Sequence, residues 1–330
     1  MSDTPPRLVI LDTDPGVDDA LALLYLSARS DLRLLAITTV FGNADVETTT
    51  RNALWLRARL GLTAPVHRGA AAPLSRPRGS SPVHVHGDNG LGDIDLGDLE
   101  LPAPDGGVAH EAIVALIRAH PGAVELVAIG PLTNLALALR AAPDIAGLVA
   151  GVTIMGGAFG GHGRTGNVTP FAEANFHNDP EAASEVLGAA WPITLVPLDA
   201  TLSCVWSDTA AEGLAARDGN LGAFAYAVSR RYAQAYARHE GLDGCVLHDV
   251  AALISLTAPD LFTADPYHVA VSVSGASVGQ TSRTGPSPSS RLCLEVDGDR
   301  LAAHFQQTLE SAVPSQDQGP GSALQAAARR

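Results

Sequence analysis

The chain of 330 residues is 46% hydrophobic, which is enough apolar side chain for the core of one large α/β domain or two small ones. Its formal net charge of −14 disfavours partners such as nucleic acids or anionic membrane surfaces, and its 21 basic residues are all arginine, which excludes lysine chemistry. The three cysteines are widely spaced, residues 1–6 lack a charged start and an apolar region, and no apolar run is long enough to span a membrane. We therefore expect a cytoplasmic protein with no signal peptide, no disulfide framework, no cysteine zinc site and no membrane span.

The first predicted element is a buried strand at residues 8–11, which leads through Pro15-Gly16 into a helix at 20–26. Four carboxylates lie within eight residues of this turn: Asp12, Asp14, Asp18 and Asp19. A turn after a first parallel strand lies at the carboxyl edge of the sheet, where open α/β folds bind ligands. Carboxylates this close raise each other's pKa or bind a cation, and hard divalent ions prefer oxygen ligands. We therefore favour a metal site over a simple capped helix start, and expect Asp12 only to hold the loop by hydrogen bonds.

The elements that follow alternate between strands and helices. Further strands are predicted at 32–41, 64–67, 124–129, 151–155, 192–198, 267–273 and 291–296. Helices are predicted at 47–60, 108–119, from the 130–134 turn to about 140, from Asp179 onward, and at 208–217, 221–239 and 248–257. This alternation predicts an α/β fold with an open, mostly parallel, Rossmann-like sheet flanked by helices. We expect a single domain over residues 1–313 and a disordered tail over 314–330.

Polar residues recur where the predicted strands end. Asp14, Asn43 and the Ile129-Gly130 turn follow three strands, and Asn167 follows a glycine-rich loop at 158–166. Further polar residues come from later loops and helix starts: Glu173, Asn175, His248 and Asp249. Carboxylates, amides and histidines that converge on one edge of a sheet suit a polyhydroxylated ligand held beside a metal ion.

In order along the chain, these motifs resemble those of the nucleoside hydrolases, the inosine–uridine-preferring nucleoside N-ribohydrolases. The resemblance covers about residues 7–305 and rests on seven motifs: DTDPGVDD at 12–19, TVFGN at 39–43, GPLTN at 130–134, MGG at 155–157, GN at 166–167, EAN at 173–175 and HD at 248–249. The 156–166 loop is a few residues longer than the family form.

The resemblance implies a Ca²⁺-dependent enzyme that cleaves the N-glycosidic bond of ribonucleosides to ribose and free base. Its implied metal ligands are Asp14, Asp19, Asp249 and the backbone carbonyl of Ile129. Its implied ribose-binding residues are Asp18, Asn43, Asn167, Glu173 and Asn175. The family's members are commonly dimers or tetramers, so we expect a homodimer or homotetramer that acts in purine and pyrimidine salvage.

The cleavage passes through a positively charged, oxocarbenium-like sugar, and the carboxylates around the ribose would stabilise that charge. Asp14 is the candidate general base for the attacking water. His248 is the candidate proton donor to the leaving base, because histidine titrates near neutral pH. His86, Tyr232 and Tyr236 are candidates for the wall around the base, and Met155 is a candidate for the pocket wall, although the two tyrosines and Met155 could equally pack in the core.

Two alternatives belong to other functional classes. Asp12-Thr13-Asp14 resembles the nucleophile motif of Mg²⁺-dependent phosphohydrolases of the haloacid dehalogenase type, a chemistry that normally places a lysine near the phosphate. A non-enzymatic calcium-binding protein is the other alternative, since Asp12, Asp14 and Asp18 loosely match an EF-hand loop. The twelfth position of that loop would be Leu23 instead of a bidentate glutamate.

Overall fold

The computed structural model describes residues 5–217, 220–287 and 289–312. The strands in these residues are β1 (Arg7–Thr13), β2 (Leu32–Thr39), β3 (Val66–Arg68), β4 (Val124–Ala128), β5 (Gly151–Met155), β6 (Ile193–Val196), β7 (Val205–Trp206), β8 (Cys245–Val246), β9 (Phe262–Asp265), β10 (Tyr267–Val271), β11 (Thr281–Pro286) and β12 (Ser290–Val296). The helices are α1 (Val17–Ser27), α2 (Val46–Arg59), α3 (Val83–His86), α4 (Ala109–Ala119), α5 (Thr133–Ala141), α6 (Ala174–Asn178), α7 (Pro180–Leu187), α8 (Leu198–Thr201), α9 (Asp208–Arg217), α10 (Leu221–Glu240), α11 (His248–Thr257) and α12 (Gly298–Ala312).

The central sheet has eight strands in the order β3-β2-β1-β4-β5-β6-β12-β9. Each neighbouring pair is parallel except β12 and β9, which run antiparallel at one edge. Two antiparallel ribbons, β7 with β8 and β10 with β11, lie outside it. The predicted α/β architecture with a mostly parallel sheet is therefore confirmed.

Both faces of the sheet are buried, as the continuous apolar run of β1 requires. Successive side chains of a strand point to opposite faces, so Val9 and Leu11 join one hydrophobic cluster and Ile10 joins the other. The first cluster contains α1, α10 and α11, and the second contains α4, α5 and α7. Helices on both faces leave the carboxyl edge of the strands free to build a site.

The strand order reverses at β1: β2 and β3 are added on one side of it, and β4 and β5 on the other. This strand pairs with β2 on one side and with β4 on the other. The chain therefore leaves the ends of β1 and β4 in opposite directions and opens a crevice between them, the usual ligand position in open α/β sheets. Asp14 follows β1 at this point and Ile129 follows β4.

The strands β7, β8, β9 and β11 and the helices α3, α6, α8 and α12 were not predicted from the sequence. Most residues of β9 and β11 are exposed or half-buried, so these strands lack the apolar pattern that marks a buried strand. Helix α12 buries Leu301, Phe305 and Leu309 along one face, at a spacing of four residues that is typical of a helix. The predicted tail at 314–330 lies outside the described residues. No helix in the described ranges is long and apolar enough to cross a bilayer.

Candidate active site

A cavity of about 640 Å³ opens at the carboxyl edge of the sheet. Most of the site residues predicted from the sequence line it: Asp18, Asn43, His86, Ile129, Met155, Asn167, Glu173, Asn175, Tyr232, Tyr236, His248 and Asp249. The other two, Asp14 and Asp19, are fully buried between these residues and the strand ends. The structure thus brings together residues that are up to 235 positions apart in the chain.

Asp19 is fixed at the start of α1 by four hydrogen bonds. Its Oδ1 accepts from the Thr13 hydroxyl and from the Asp14 backbone N–H. Its Oδ2 accepts from the Gly16 N–H at 2.8 Å and from the Asn43 side-chain amide at 3.0 Å. A carboxylate in the first helical turn is also favoured by the helix dipole. Asp19 therefore has one orientation, and the amide of Asn43 contacts a carboxylate in this structure.

Asp14 and Asp18 each keep one carboxylate oxygen free. Asp14 Oδ2 accepts from the Asn43 backbone N–H at 2.7 Å, and Asp18 Oδ2 accepts from the Tyr232 hydroxyl at 3.1 Å. The Oδ1 atoms of both residues are buried and have no hydrogen-bond partner among the described residues. Since a buried charged oxygen without a partner is costly, these atoms are poised for a ligand.

Glycine allows the backbone to come close to Asp14. A Cβ atom added at Gly130 would lie 2.6 Å from Asp14 Oδ1, which is well inside van der Waals contact. At Gly42 it would overlap Asp14 Oδ2 at 1.9 Å. Gly42 of the TVFGN motif and Gly130 of the GPLTN motif therefore leave room for the Asp14 carboxylate, and other residues of these motifs supply polar groups.

Burial raises the pKa of every carboxyl in the cluster, and neighbouring like charges add to the effect on Asp14, Asp19 and Asp249. Burial raises the pKa values of Asp18 and Asp19 to about 6, with the charge of Asp18 adding to the effect on Asp19. Burial first, and then neighbouring aspartates, raise the pKa values of Asp14 and Asp249 well above the usual range. A bound cation would relieve both the desolvation and the mutual repulsion.

The donors of this cluster fit a hard divalent cation. Oxygen atoms of Asp18, Asp19 and Asp249 lie within 4.8 Å of one another, and the described cavity lining contains no arginine that could neutralise them. All-oxygen donors suit Ca²⁺ or Mg²⁺. The predicted ligand set shares Asp19 and Asp249 with this group. The structure adds Asp18, which the resemblance assigned to the ribose, while Asp14 lies beside the group and contributes its charge.

A chain of hydrogen bonds leads from this cluster along one wall of the cavity. The Tyr232 hydroxyl, which donates to Asp18, lies 3.4 Å from the Tyr236 hydroxyl. The Tyr236 hydroxyl is 2.6 Å from His248 Nε2, and His248 Nδ1 is 2.6 Å from the Thr201 hydroxyl. Both tyrosines therefore line the cavity, and their hydroxyls connect Asp18 to His248.

The surroundings of His248 disfavour the positively charged imidazolium form. Burial, followed by the nearby His86, lowers the pKa of His248 to about 3. Both ring nitrogens have hydroxyl partners, so the ring is a neutral, fully bonded member of the chain.

His86 lies on the single turn of α3, within the long irregular segment. Its Nδ1 accepts from the Val17 N–H at 3.2 Å and is 3.9 Å from Asp18 Oδ1. Its ring packs against Tyr232 with centroids 5.5 Å apart. Burial lowers the pKa of His86 to about 4, so it too is neutral at pH 7. It joins the cavity beside the start of α1.

Glu173 is the N-cap of α6 and is bonded to the backbone. Its Oε1 accepts from the Asn175 N–H at 2.8 Å. Its Oε2 accepts from the N–H groups of Phe176 at 3.1 Å and Gly157 at 2.9 Å. Burial raises the pKa of Glu173 to about 7 despite these bonds. In this structure Glu173 ties α6 to the glycines after β5 and borders the cavity.

Asn175 joins two strand ends through its side-chain amide. The amide donates to the carbonyls of Ile129 at 3.0 Å and Met155 at 3.2 Å. A carbonyl oxygen has two lone pairs, so the Ile129 carbonyl can still serve as a ligand. Asn167 Oδ1 accepts from the Ala174 N–H at 3.0 Å, and its exposed side chain lies on the rim.

The structure also shows contacts that the sequence analysis missed. Thr201 holds His248 and Thr13 holds Asp19. Thr13 lies within the DTDPGVDD motif, whereas Thr201 lies in none of the seven motifs. Thr201 is 47 positions from His248, so only the packing of α8 beside α11 reveals the contact. The prediction that Asp12 is structural is confirmed, since its Oδ1 accepts from Thr38 and Asn134.

Comparison with known proteins agrees with this geometry. The sequence profile of the inosine-uridine preferring nucleoside hydrolases matches residues 9–303. The chain belongs to this family. Uridine nucleosidase 1 of Arabidopsis thaliana is 36% identical over 274 residues, covering 83% of this chain and 80% of that protein. The inosine-uridine preferring nucleoside hydrolase of Leishmania major is 35% identical, covering 82% and 85%.

Solved structures show the same fold. A plant nucleoside hydrolase superposes with a TM-score of 0.87 at 33% identity, covering 92% of this chain and 99% of its own. This chain is therefore a nucleoside hydrolase, an enzyme that hydrolyses the N-glycosidic bond of nucleosides. The family consists of metal-dependent hydrolases, and this chain has a buried aspartate cluster that could hold a metal ion.

Proposed function

We propose that this nucleoside hydrolase is a Ca²⁺-dependent ribonucleoside N-ribohydrolase, which releases ribose and the free base from inosine- or uridine-type nucleosides. The observation that carries the proposal is the free Oδ1 atom of Asp14, buried in a carboxylate cluster beside a cavity lined with amides. The names of the relatives in Arabidopsis and Leishmania support uridine and inosine as the first substrates to test.

The proposed calcium ligands are Asp14, Asp19, Asp249 and the Ile129 carbonyl, with Asp18 close enough to join them. When bound, the ion would supply positive charge that offsets the repulsion among these groups and lowers the pKa of a nearby water. The oxygen-only donor set and the absence of a competing arginine in the described lining support a divalent cation.

Asp14 is the proposed general base. A base must hold a free lone pair within reach of the water that it deprotonates, and Asp14 Oδ1 is buried and without a partner. Its other oxygen is held by the Asn43 N–H, which fixes the direction of the free one. The glycines at 42 and 130 let this carboxylate fit between the strand ends.

The ribose end of the cavity is proposed to lie against Asp18, Asn43, Asn167, Glu173 and Asn175. Carboxylates there would stabilise the positive charge that develops on the sugar as the glycosidic bond breaks. The side-chain amides offer both donors and acceptors to the ribose hydroxyls. Met155, at the end of β5, gives this end of the cavity an apolar wall.

The leaving base gains electron density and needs a hydrogen bond or a proton. Since His248 is neutral, we propose that it acts through the Tyr236 hydroxyl, with which it shares a 2.6 Å hydrogen bond, instead of as an imidazolium. Tyr232 and His86 complete the wall around the base. The hydrogen-bonded chain would orient the donor and spread the charge of the departing base.

The two alternatives are not favoured. Asp12, the nucleophile that a dehalogenase-type phosphohydrolase would require, is fully buried and accepts hydrogen bonds at Oδ1 from the side chains of Thr38 and Asn134, which lie outside the cavity lining. The described lining also holds no arginine for a phosphate. The segment is not an EF-hand loop, because the twelfth position, which should be a bidentate glutamate, is Leu23, an apolar residue completely buried in α1.

The test is a reducing-sugar assay of the purified protein with inosine, uridine, cytidine, adenosine and guanosine. We expect ribose release that is lost on treatment with a chelator and restored by Ca²⁺. Restoration by Mg²⁺ but not by Ca²⁺ would reject the choice of ion. Phosphate release from nucleotides or sugar phosphates, without ribose release from nucleosides, would reject the proposed reaction.

A cytoplasmic location, a homodimeric or homotetrameric state, and a role in purine and pyrimidine salvage stay part of the proposal. Light scattering of the purified protein measures the oligomeric state directly.

A further inference from the structure

The face of α10 that lines the cavity continues beyond the two tyrosines. Tyr232, Tyr236 and Glu240 are spaced four residues apart, so they lie along one face of the helix, and all three line the cavity. Each step of four residues advances about 6 Å along the axis. Tyr232 contacts Asp18 at the floor, Tyr236 contacts His248, and Glu240 therefore lies farthest out.

Glu240 is in an unfavourable position for a carboxylate. It is the last residue of α10, where the helix dipole disfavours negative charge. Its carboxylate pairs with Arg164, which comes from the longer glycine-rich loop. Arg164 does not itself line the cavity, so it holds Glu240 from behind. Glu240 is thus a negative charge at an unfavourable helix end that a residue of another segment holds in place. Such a local conflict is a sign of a functional residue.

The loop that carries Arg164 is itself firmly anchored. Asp199, a buried residue of α8, accepts hydrogen bonds from the N–H groups of Phe159 at 2.8 Å and Gly161 at 2.6 Å. The Asp199 carbonyl lies 3.0 Å from His162 Nε2. Bonds to a buried carboxylate are stronger than those between neutral groups, so the loop can position Arg164 against α10.

We propose that Glu240 is a specificity-determining residue, which accepts a hydrogen bond from the ring N–H on the outer edge of the base, with Arg164 as its positioning residue. The inference rests on the proposed function, in which ribose lies against the carboxylates and the base lies beside Tyr236. The outer edge of the base then faces Glu240. A carboxylate only accepts hydrogen bonds, so it selects bases that present N–H there, such as uracil at N3 and hypoxanthine at N1.

The test compares uridine with 3-methyluridine, and inosine with 1-methylinosine, because a methyl group replaces the ring N–H in each analogue. We expect kcat/KM of the wild type to favour the unmethylated nucleoside by about tenfold or more, the value of a hydrogen bond to a charged group. In Glu240→Ala this preference should fall by a similar factor, through KM more than through kcat. Glu310→Ala is the matched control, since it removes an arginine-paired carboxylate of α12 remote from the cavity lining.

An unchanged preference in Glu240→Ala, or no preference in the wild type, overturns the inference. Thermal denaturation of each variant checks that it is folded. If the wild type releases no ribose, the proposed hydrolysis fails, and the same preference is then measured as the ratio of dissociation constants by calorimetry. Failure of both nucleosides to bind would overturn this inference as well.

Discussion

Replacing Asp14 by asparagine should lower activity and raise the stability of the metal-free protein at the same time. The substitution keeps the size of the side chain and removes its charge and its basic oxygen. Loss of a general base costs about 100- to 10,000-fold in rate. Because the proposed base is also a proposed metal ligand, we expect kcat/KM to fall by at least about a thousandfold, or about 4 kcal/mol.

The gain in stability follows from the crowding of the carboxylates. Raising the pKa of Asp19 from 3.8 to about 6 costs the folded protein about 3 kcal/mol at neutral pH. The folded state binds the proton more tightly than the unfolded state, so the metal-free protein loses this stability as pH rises from about 4 to about 6. Replacing Asp14 removes the similar cost that burial and the charge of Asp19 impose on Asp14 itself, and it removes one of the charges that raise the pKa of Asp249; we place the gain at about 1 to 3 kcal/mol.

The assay combines ribose release with thermal denaturation in a chelator at pH 7. The melting temperature of Asp14→Asn should exceed that of the wild type by about 2 °C for each kcal/mol gained. Asp179→Asn is the matched control, because Asp179 is also buried but accepts hydrogen bonds from Thr133, Leu74 and Ala182 outside the cluster. That variant should be less stable. A destabilised Asp14→Asn, or one with near-normal activity, would refute the reasoning.

Two further predictions concern the leaving group and the space around Asp14. Tyr236→Phe removes the hydroxyl that bonds His248, so turnover of uridine and inosine should fall by about 100-fold or more. His248→Ala should reduce turnover of these nucleosides to a similar extent. Turnover of p-nitrophenyl riboside, whose leaving group needs no proton, should fall much less in both variants. Equal losses on all substrates would mean that these residues only position the substrate. Gly130→Ala adds a Cβ atom 2.6 Å from Asp14 Oδ1, so it should reduce kcat by at least about tenfold without removing any functional group. A fully active Gly130→Ala, measured by the same ribose assay, would show that Asp14 tolerates displacement.

Short-range chemistry explains how much of the fold the sequence predicts. The apolar run of β1, the Pro15-Gly16 turn and the carboxylates after it form a local pattern that is independent of distant residues. Helices α9 and α11 begin and end at the predicted residues because their apolar faces repeat at helical spacing. The exposed ribbon of β10 and β11 has no such pattern in its second strand, and so β11 was missed.

The sequence by itself therefore determined the class of sheet, the carboxyl-edge position of the acidic turn and the identity of most residues at the cavity. Only the tertiary structure decided their contacts. It joined Asp18 to His248 through two tyrosines of α10, gave His248 a threonine partner on α8, and made that histidine neutral by burial. It also paired Glu240, at the cavity, with Arg164, which is 76 positions away in the chain. Hydrogen bonding and desolvation depend on which groups lie close together in the folded protein. The spacing of residues along the chain does not predict these long-range contacts.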